Sequence, residues 1–259
     1  MTRPHDLVVL GSGTALPTER RGPPGYLLRF SDGSGVLLDA GPGSVRQAAR
    51  FGVPVERLRG VLVTHFHPDH TADLIAVLFA QASPLAQEAG RLHLAGPEGL
   101  RELHGRLLGV WGSWLALPSD RLRFHVVRPG PFQLVFEGLH LEGEAVGMHH
   151  SQGSLGYRLR GAGGRSLAYS GDTGWGEGPI VLGREADIFL LEAALPAGDG
   201  DQGHLTPRLA GRVAERSGCA HLVLTHLYPQ TERIDLEPEV RREYGGPLTV
   251  ATDGLVLEF

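Results

Sequence analysis

Lysine and asparagine are absent from the 259-residue sequence, so its 24 basic side chains, histidine aside, are all arginine. A genome rich in guanine and cytosine explains both absences, because the codons of the two missing residues begin with two adenines. Arginine in place of lysine also occurs in some thermophilic families. The composition is therefore compatible with a thermophilic source.

Cysteine is scarce as well, and Cys219 is the single thiol. It has no partner within the chain for a disulfide, and one cysteine cannot build a cysteine-rich zinc site. No apolar stretch is long enough to cross a bilayer, and residues 1–16 lack the apolar centre of a signal peptide. We therefore expect a cytoplasmic protein that does not contact a membrane.

A surplus of positive charge is also missing, since the formal net charge is −5. Proteins that grip long nucleic acids neutralise phosphates with a basic surface, so a long nucleic acid is a disfavoured partner. A small phosphate ester is not disfavoured. The composition, 41% hydrophobic and 20% charged, is that of a globular enzyme. We expect one domain that spans residues 1–259.

Each half of the chain begins with short apolar runs typical of strands and continues with helices that alternate with strands. The expected strands are 7–10, 26–30, 35–39, 61–63, 92–95, 122–127, 132–136, 139–146, 155–160, 166–170, 188–191, 221–225, 248–251 and 255–258; the expected helices are 44–51, 71–81, 97–109, 206–217 and 237–244. Two mixed sheets packed face to face, with helices on the outer faces, would bury both halves. The predicted fold class is α/β (α+β), a four-layer αβ/βα sandwich.

Some of these elements have more specific features. The helix 71–81 is apolar nearly all round, which predicts that it is buried and fixes the preceding loop to the core. Ser44 and Thr206 are the expected N-caps of their helices. The segment Val110–Leu115 is unusually apolar for a connection. We interpret it first as core, second as a homodimer contact and third as a wall that faces the substrate.

The stretch richest in reactive side chains is Thr64-His65-Phe66-His67-Pro68-Asp69-His70, directly after the apolar run 61–63. Imidazole nitrogens and carboxylate oxygens are the ligands that zinc prefers. Pro68 ends the strand and turns its neighbours in different directions, so one loop could serve two metal ions. A polar loop with accidental histidines is the alternative, and three histidines with an aspartate in six residues disfavour it.

Further ligands are expected at other strand ends, where a rigid scaffold can aim them. His150 stands beside His149, Asp172 follows an apolar strand through Gly171, and His226 follows the run 222–225. Only one of the two adjacent histidines is expected to point inward. Singly, each candidate could equally cap a turn or end a strand. Together with the histidine-rich loop they indicate a binuclear site.

These motifs resemble those of the metallo-β-lactamase-fold hydrolases, and within them the branch of RNase Z and its phosphodiesterase relatives. The likeness covers nearly the whole chain and rests on Leu10–Thr14, Leu38–Gly43, Thr64–His70, His150–Arg158, Ser170–Thr173, Leu191–Ala193, Gly203–Thr206 and Thr225–His226. The THxHxDH loop is specific for the superfamily. The spacing from His150 to Gly156 and the His204-x-Thr206 motif are more specific for the branch.

The resemblance implies two divalent metal ions, zinc by default, with manganese or iron as alternatives. It assigns His65, His67 and His150 to one ion, Asp69, His70 and His226 to the second, and Asp172 to both. It also implies that water activated by the metals is the nucleophile and that Asp69 is its general base. His204 would protonate the departing oxygen, with Glu192 orienting it.

One departure from the family pattern concerns the substrate. Bacterial RNase Z typically has a long arm that grips tRNA, inserted between the Gly-Tyr-Arg strand and the Gly-Asp-Thr loop. Here only twelve residues separate Tyr157 from Ser170, enough for a hairpin turn at 161–164. The missing arm and the negative net charge both disfavour processing of tRNA 3′ ends.

We therefore expect a binuclear metal-dependent hydrolase, a phosphodiesterase acting on small or short phosphate diesters such as cyclic nucleotides or cyclic sugar phosphates. Three alternatives stay open: an RNase Z-like tRNA 3′ endonuclease, a thioester or lactone hydrolase of the same superfamily, and a metal-bearing accessory protein without turnover. A homodimer is a further expectation.

Overall fold

Two seven-stranded sheets form the centre of the structure, a computed structural model that describes residues 2–86, 89–196 and 203–259. The first sheet contains β1 (Asp6–Gly11), β2 (Gly25–Arg29), β3 (Gly35–Ala40), β4 (Leu58–Leu62), β5 (Leu92–Gly96), β6 (Leu122–Val126) and β14 (Val256–Glu258). Its order is β14-β1-β2-β3-β4-β5-β6. Strands β3 to β6 are mutually parallel, and the other pairs are antiparallel.

The second sheet repeats this mixture. It contains β7 (Gly130–Phe136), β8 (Leu139–Gly147), β9 (Leu155–Arg160), β10 (Ser166–Tyr169), β11 (Ile188–Glu192), β12 (Leu222–Thr225) and β13 (Leu248–Val250). Its order is β13-β12-β11-β10-β9-β8-β7, with β10 to β13 parallel and β7 to β10 antiparallel.

Helices connect the parallel strands. They are α1 (Ser44–Arg50), α2 (Pro68–Thr71), α3 (Asp73–Ala82), α4 (Leu100–Trp111), α5 (Glu177–Gly183), α6 (Pro207–Ser217), α7 (Pro229–Glu232) and α8 (Leu236–Arg241), with 3-10 turns at Val55–Arg57 and Gly112–Leu115. No helix in the described ranges is long and apolar enough to cross a membrane.

Three apolar clusters show how the layers stack. One cluster combines Leu7 and Val9 of the first sheet with Tyr157 and Leu190 of the second, so it lies between the sheets. The alternate residues of β1 face away from it and pack with α1 and α3, because successive side chains of a strand point to opposite faces. The third cluster joins the second sheet to α5, α6 and α8. The expected four-layer sandwich is thereby confirmed.

Helix starts differ from the expected positions. Gly43, in the left-handed region at φ 96°, precedes α1, so Ser44 lies inside the helix and is not its N-cap. Gly99, at φ 103°, starts α4 three residues later than expected. Glycine adopts such angles without the steric cost that a Cβ brings. Thr206 is confirmed as the N-cap of α6, where its hydroxyl accepts a hydrogen bond from the Leu209 amide.

The helix predicted over 71–81 is α3, which begins at Asp73 after the separate turn α2, and it is not buried all round. Leu74, Val77 and Leu78 are buried, but Phe79 is 53% exposed. Its ring lies 6.0 Å from that of Trp114, which is itself 68% exposed. In the segment 110–115 only Leu115 is buried, so the core interpretation is wrong for its two tryptophans. Within the part of the chain that the structure describes, no further layer covers these outer faces.

Candidate metal centre

Residues that follow strands of both sheets meet at one end of the sandwich. His65 follows β4, Asp172 follows β10 and His226 follows β12. The Nε2 atom of His65 lies 3.6 Å from one Asp172 carboxylate oxygen, and Nε2 of His226 lies 3.3 Å from the other. Strand ends held by two sheets thus bring together side chains that are more than 150 residues apart in sequence.

Local sequence shapes the histidine-rich loop. Pro68 occupies the first position of α2, where its missing amide proton costs nothing. The turn buries His65 and His70, while His67 stays exposed. Gly171, at φ 57°, passes so close to this loop that a Cβ there would lie 2.8 Å from the Cβ and hydroxyl of Thr64. Glycine is therefore required where the loop after β10 crosses the loop after β4.

The expected ligands fall into two adjoining groups. In each group the nitrogen and carboxylate oxygen atoms that could bind a metal lie within 4.8 Å of one another. The first group is His65, His67, His150 and Asp172, and the second is Asp69, His70 and His226. His150, and not the exposed His149, points into the site. The structure thus brings together all seven residues that the sequence suggested as ligands.

Asp172 lies between the two groups. One of its oxygens is 3.6 Å from Nε2 of both His65 and His150. The other oxygen is 3.1 Å from Nε2 of His70 and 3.3 Å from Nε2 of His226. Each oxygen therefore faces a different group, which is the arrangement that a carboxylate shared between two ions needs.

Hydrogen bonds outside the groups determine which imidazole nitrogens are free. Nδ1 of His70 lies 2.8 Å from a carboxylate oxygen of Asp39, and Nδ1 of His150 lies 2.9 Å from the Gly203 carbonyl. Each Nδ1 faces an acceptor, so it bears the proton and donates. The lone pair is left on Nε2, which points at Asp172. The tautomers thus suit metal binding.

Burial and unpaired atoms fit a metal as well. In the described chain, Nε2 of His65 and one Asp172 oxygen are buried without a hydrogen-bond donor or acceptor. Burial lowers the pKa of His65 to about 3, so the ring is neutral. Burial raises the pKa of Asp172, but the neighbouring His226 and His70 outweigh it and hold that pKa well below its usual range. Burial lowers the pKa of His70, but Asp172 and Asp39 outweigh it and raise that pKa well above its usual range. Histidine binds a divalent ion in its neutral form, so a bound metal would displace a proton from this ring.

A second unit adjoins the ligands. Glu192, at the end of β11, is fully buried and accepts a 2.8 Å hydrogen bond from Nδ1 of His204. Its two oxygens also accept bonds from the backbone amides of Thr173, Ala194 and Leu205. Burial lowers the pKa of His204, but the bond to Glu192 outweighs this and raises the pKa to about 9. His204 is therefore protonated at neutral pH.

Sequence reasoning gave no role to Asp39, the last residue but one of β3. It is fully buried and accepts hydrogen bonds from the Thr64 amide and hydroxyl, the His70 ring and the Tyr169 hydroxyl. Its φ of 53° and the φ of 58° at His226 are rare for residues other than glycine. An acidic residue near the end of an apolar strand was the available signal. Its partners come from two other segments, the histidine-rich loop and β10.

This fold and its site define a metal-dependent hydrolase of the metallo-β-lactamase type. The family described as "Beta-lactamase superfamily domain" matches residues 35–227. The chain therefore belongs to the β-lactamase superfamily, in its RNase Z-like branch without the long arm. The hairpin between β9 and β10 is short and is closed by a hydrogen bond from the Gly161 amide to the Arg165 carbonyl.

Individual relatives agree with this family. A protein of Streptomyces avermitilis named "Ribonuclease Z" is 32% identical, with 96% of each chain covered. That alignment spans 291 positions, more than this chain contains, so the relative has segments that are missing here. Bacillus subtilis YhfI, a metallo-β-lactamase-fold protein, superposes with a TM-score of 0.81 at 22% identity over 99% of both chains. A diphosphatase of the PhnP family superposes with a TM-score of 0.74 at 24% identity, covering 98% of this chain and 97% of that one.

Proposed function

We propose that the protein is a phosphodiesterase that hydrolyses small or short phosphate diesters with two divalent metal ions. The observation behind the proposal is the position of His204, which is held by Glu192 at 2.8 Å and lies beside two ligand groups that share Asp172. Hydrolysis of a phosphate diester expels an alkoxide, and a positioned acid lowers the cost of that step. Thioester and lactone hydrolysis depend less on such an acid.

His65, His67 and His150 would hold one ion, Asp69, His70 and His226 the second, and Asp172 both. Imidazole and carboxylate ligands suit zinc, and manganese or iron accept similar sets. When bound, two divalent ions lower the pKa of water and stabilise the charge of an in-line displacement. Asp69 is a carboxylate at neutral pH, since burial raises its pKa but the bond and charge of His226 lower it to about 2. It can therefore orient the attacking water, whose acidity would come from the bound ions.

The remaining proton comes from His204. Nδ1 is held by Glu192, which leaves the Nε2–H to face the ligand groups. The imidazole ring of His204 is nearly parallel to that of His226, with centroids 5.7 Å apart. Transfer of this proton to the departing oxygen yields a neutral alcohol and a neutral imidazole, whose conjugate acid is restored from solvent. Glu192 is a positioning residue in this scheme.

A second candidate is an RNase Z-like endonuclease, which the Streptomyces relative favours. The short 161–165 turn and the net charge of −5 favour a smaller substrate. A 3′-extended tRNA offered beside small diesters separates the two functions. Efficient cleavage at the tRNA 3′ end would place the endonuclease first.

The direct test is metal analysis and a substrate panel on one preparation. We expect about two divalent ions per chain and hydrolysis of cyclic and linear phosphate diesters, with thioesters and lactones turned over poorly. Preference for a thioester or lactone would contradict the proposal. A protein that is fully loaded with metal ions but hydrolyses none of the substrates would also contradict the proposal. That outcome is expected of an accessory protein.

The proposal also covers the oligomeric state of the protein and its location in the cell. We infer a homodimer through an apolar patch that consists of Phe79, Leu85, Val110, Trp111 and Trp114, each of them 48% exposed or more. The cytoplasm is the proposed compartment, on the basis of the single buried Cys219.

A further inference from the structure

A second polar cavity adjoins the metal centre. Its volume is about 420 Å³, and it is lined by Thr18, Glu19, Arg20, Pro229, Glu232 and Arg233. Pro229 directly follows Tyr228 and is three residues beyond His226. Successive Cα atoms are about 3.8 Å apart, so the Cα atoms of Pro229 and His226 are separated by no more than about 11 Å. We name it the arginine cavity, after Arg20 and Arg233.

Its two walls are bonded to each other. The Leu227 amide donates to the Ser12 carbonyl at 3.1 Å, and the Thr18 hydroxyl donates to Glu232 at 3.2 Å. The guanidinium of the buried Arg21 lies 3.4 Å from the other Glu232 oxygen. The loop before β2 and the segment around α7 are thus held together, and the cavity exists before a ligand arrives.

The charges of the lining favour an anion. Arg21 compensates Glu232 from outside the cavity. Arg20 and Arg233 are exposed, and neither forms an ion pair with another residue of the described ranges. The lining has two arginines and two glutamates, and because Glu232 is engaged by Arg21 and Thr18, the two guanidinium groups stay available to an anionic ligand. Planar guanidinium groups match phosphate and carboxylate oxygens.

Tyr228 directly precedes Pro229 of the cavity wall, and its ring lies beside the metal centre. Its ring is nearly perpendicular to the rings of His204 and His226, at 81° and 89°, with both centroids 6.3 Å away. The side chain is half-buried. An aromatic face in this place is suited to the base or sugar of a nucleotide, because stacking tolerates any base.

We propose that the arginine cavity binds a second anionic group of the substrate while Tyr228 contacts the ring that links it to the scissile phosphate. The preferred substrate class is then a nucleotide diester with a further phosphate, such as a short oligonucleotide with a terminal phosphate. This inference rests on the proposed phosphodiesterase function and narrows its substrate.

The test compares the dinucleotide ApA with its 5′-phosphorylated form pApA. The wild type should have the lower KM for pApA. The double variant Arg20→Ala/Arg233→Ala should raise that KM by about 10- to 100-fold, the equivalent of one charge-assisted hydrogen-bond pair, and leave ApA unchanged. Arg165→Ala is the matched control, because Arg165 lies in the hairpin at the far ends of β9 and β10.

Tyr228→Ala should raise KM for both dinucleotides by about 5- to 100-fold, and Tyr228→Phe should not.

A binding measurement keeps the two proposals distinguishable. Adenosine 3′,5′-bisphosphate should bind the metal-loaded protein more tightly than adenosine 5′-monophosphate, and the double variant should abolish that difference. Equal KM values for ApA and pApA in the wild type, with equal binding of the two mononucleotides, would overturn the inference alone. Failure to hydrolyse any diester would overturn the phosphodiesterase function, and the binding comparison would then still decide whether the cavity selects a second anion.

Discussion

Asp39 illustrates how one carboxylate can organise the metal site without contacting metal. It receives four hydrogen bonds, from Thr64, His70 and Tyr169, at the junction of β3, the histidine-rich loop and β10. Partners of this kind fix the tautomer and direction of a histidine ligand and raise its basicity. The site therefore depends on a residue that sequence reasoning did not assign a role.

Replacement of Asp39 by asparagine should weaken metal binding by about 10- to 100-fold, the usual effect of losing such a partner. The Asp39 carboxylate has two oxygens that accept four hydrogen bonds, whereas the side chain of asparagine has only one acceptor oxygen. Zinc affinity measured by competition with a chelator provides the test. Asp32→Asn, in the turn before β3, is the control, because the Asp32 carboxylate accepts hydrogen bonds from the Ser34 amide and hydroxyl within that turn, away from the ligands. If Asp39→Asn bound zinc as tightly as the wild type, Asp39 would have no role in supporting the metal ligand His70.

His204 should impose an alkaline limit on activity. Burial lowers its pKa, and the bond to Glu192 raises it to about 9. The acid form is thus present below that pH and is lost above it, so kcat/KM should fall as the pH rises through about 9. His204→Ala should lose about 10²–10⁴ in rate with an alcohol leaving group, together with this alkaline limb. The exposed His5 is the control position. If kcat/KM of His204→Ala fell at the same alkaline pH as that of the wild type, the fall would belong to another group.

At the scale of elements, α3 joins the metal loop to the first sheet. Leu74, Val77 and Leu78 face the cluster that also contains Val8 and Leu37. The opposite side of the helix is open, as the exposed Phe79 shows. The expectation of burial all round was wrong because the apolar composition of a helix does not reveal whether another layer covers it.

Two adjacent residues of α3 give a matched pair for stability. Leu78→Ala should lower the free energy of unfolding by about 2–5 kcal/mol, because it empties a fully buried position. At concentrations where the protein is monomeric, Phe79→Ala should cost less, about 0.5–1.5 kcal/mol, because it loses only its contact with the Trp114 ring. Chemical denaturation followed by circular dichroism measures both. Equal losses would mean that the outer face of α3 is covered in solution.

At the scale of the whole molecule, the apolar patch around Trp111 and Trp114 distinguishes this surface. Its five side chains come from α3, α4 and their flanking turns, and α4 itself buries only Leu100 among its twelve residues. The rings of Phe79 and Trp114 contact each other, and exposed apolar side chains that cluster in this way are typical of interaction sites. A second copy of the chain is the proposed occupant.

Sedimentation at micromolar concentration should therefore show a dimer. Trp114→Arg should shift the protein to monomer, because a charge would be buried without a partner in an apolar contact. Arg106→Ala, on an exposed face of α4 and paired to Glu102, should leave the dimer intact. A wild type that sediments only as a monomer would rule out this assembly.

The fold class and the histidine-rich loop were predictable because they depend on local patterns. Alternating and continuous apolar runs reveal strands, and a run of histidines reveals ligands. The first residues of α1 and α4 were not predictable, because they are determined by the left-handed conformation of Gly43 and Gly99. Thr206 was predictable as a cap because threonine before proline has a local signature. The extent of the chain as one domain stays a prediction.

The sequence by itself determined the chemistry of the site, because imidazole and carboxylate side chains have the same ligand properties wherever the chain places them. It also determined the two sheets, through the apolar pattern of their strands. Only the tertiary structure decided that the Asp172 oxygens face different groups, that Asp39 holds His70, and that Arg20 and Arg233 share a cavity beside Tyr228. These are distances between distant segments, and they follow from how two sheets pack and not from any local pattern.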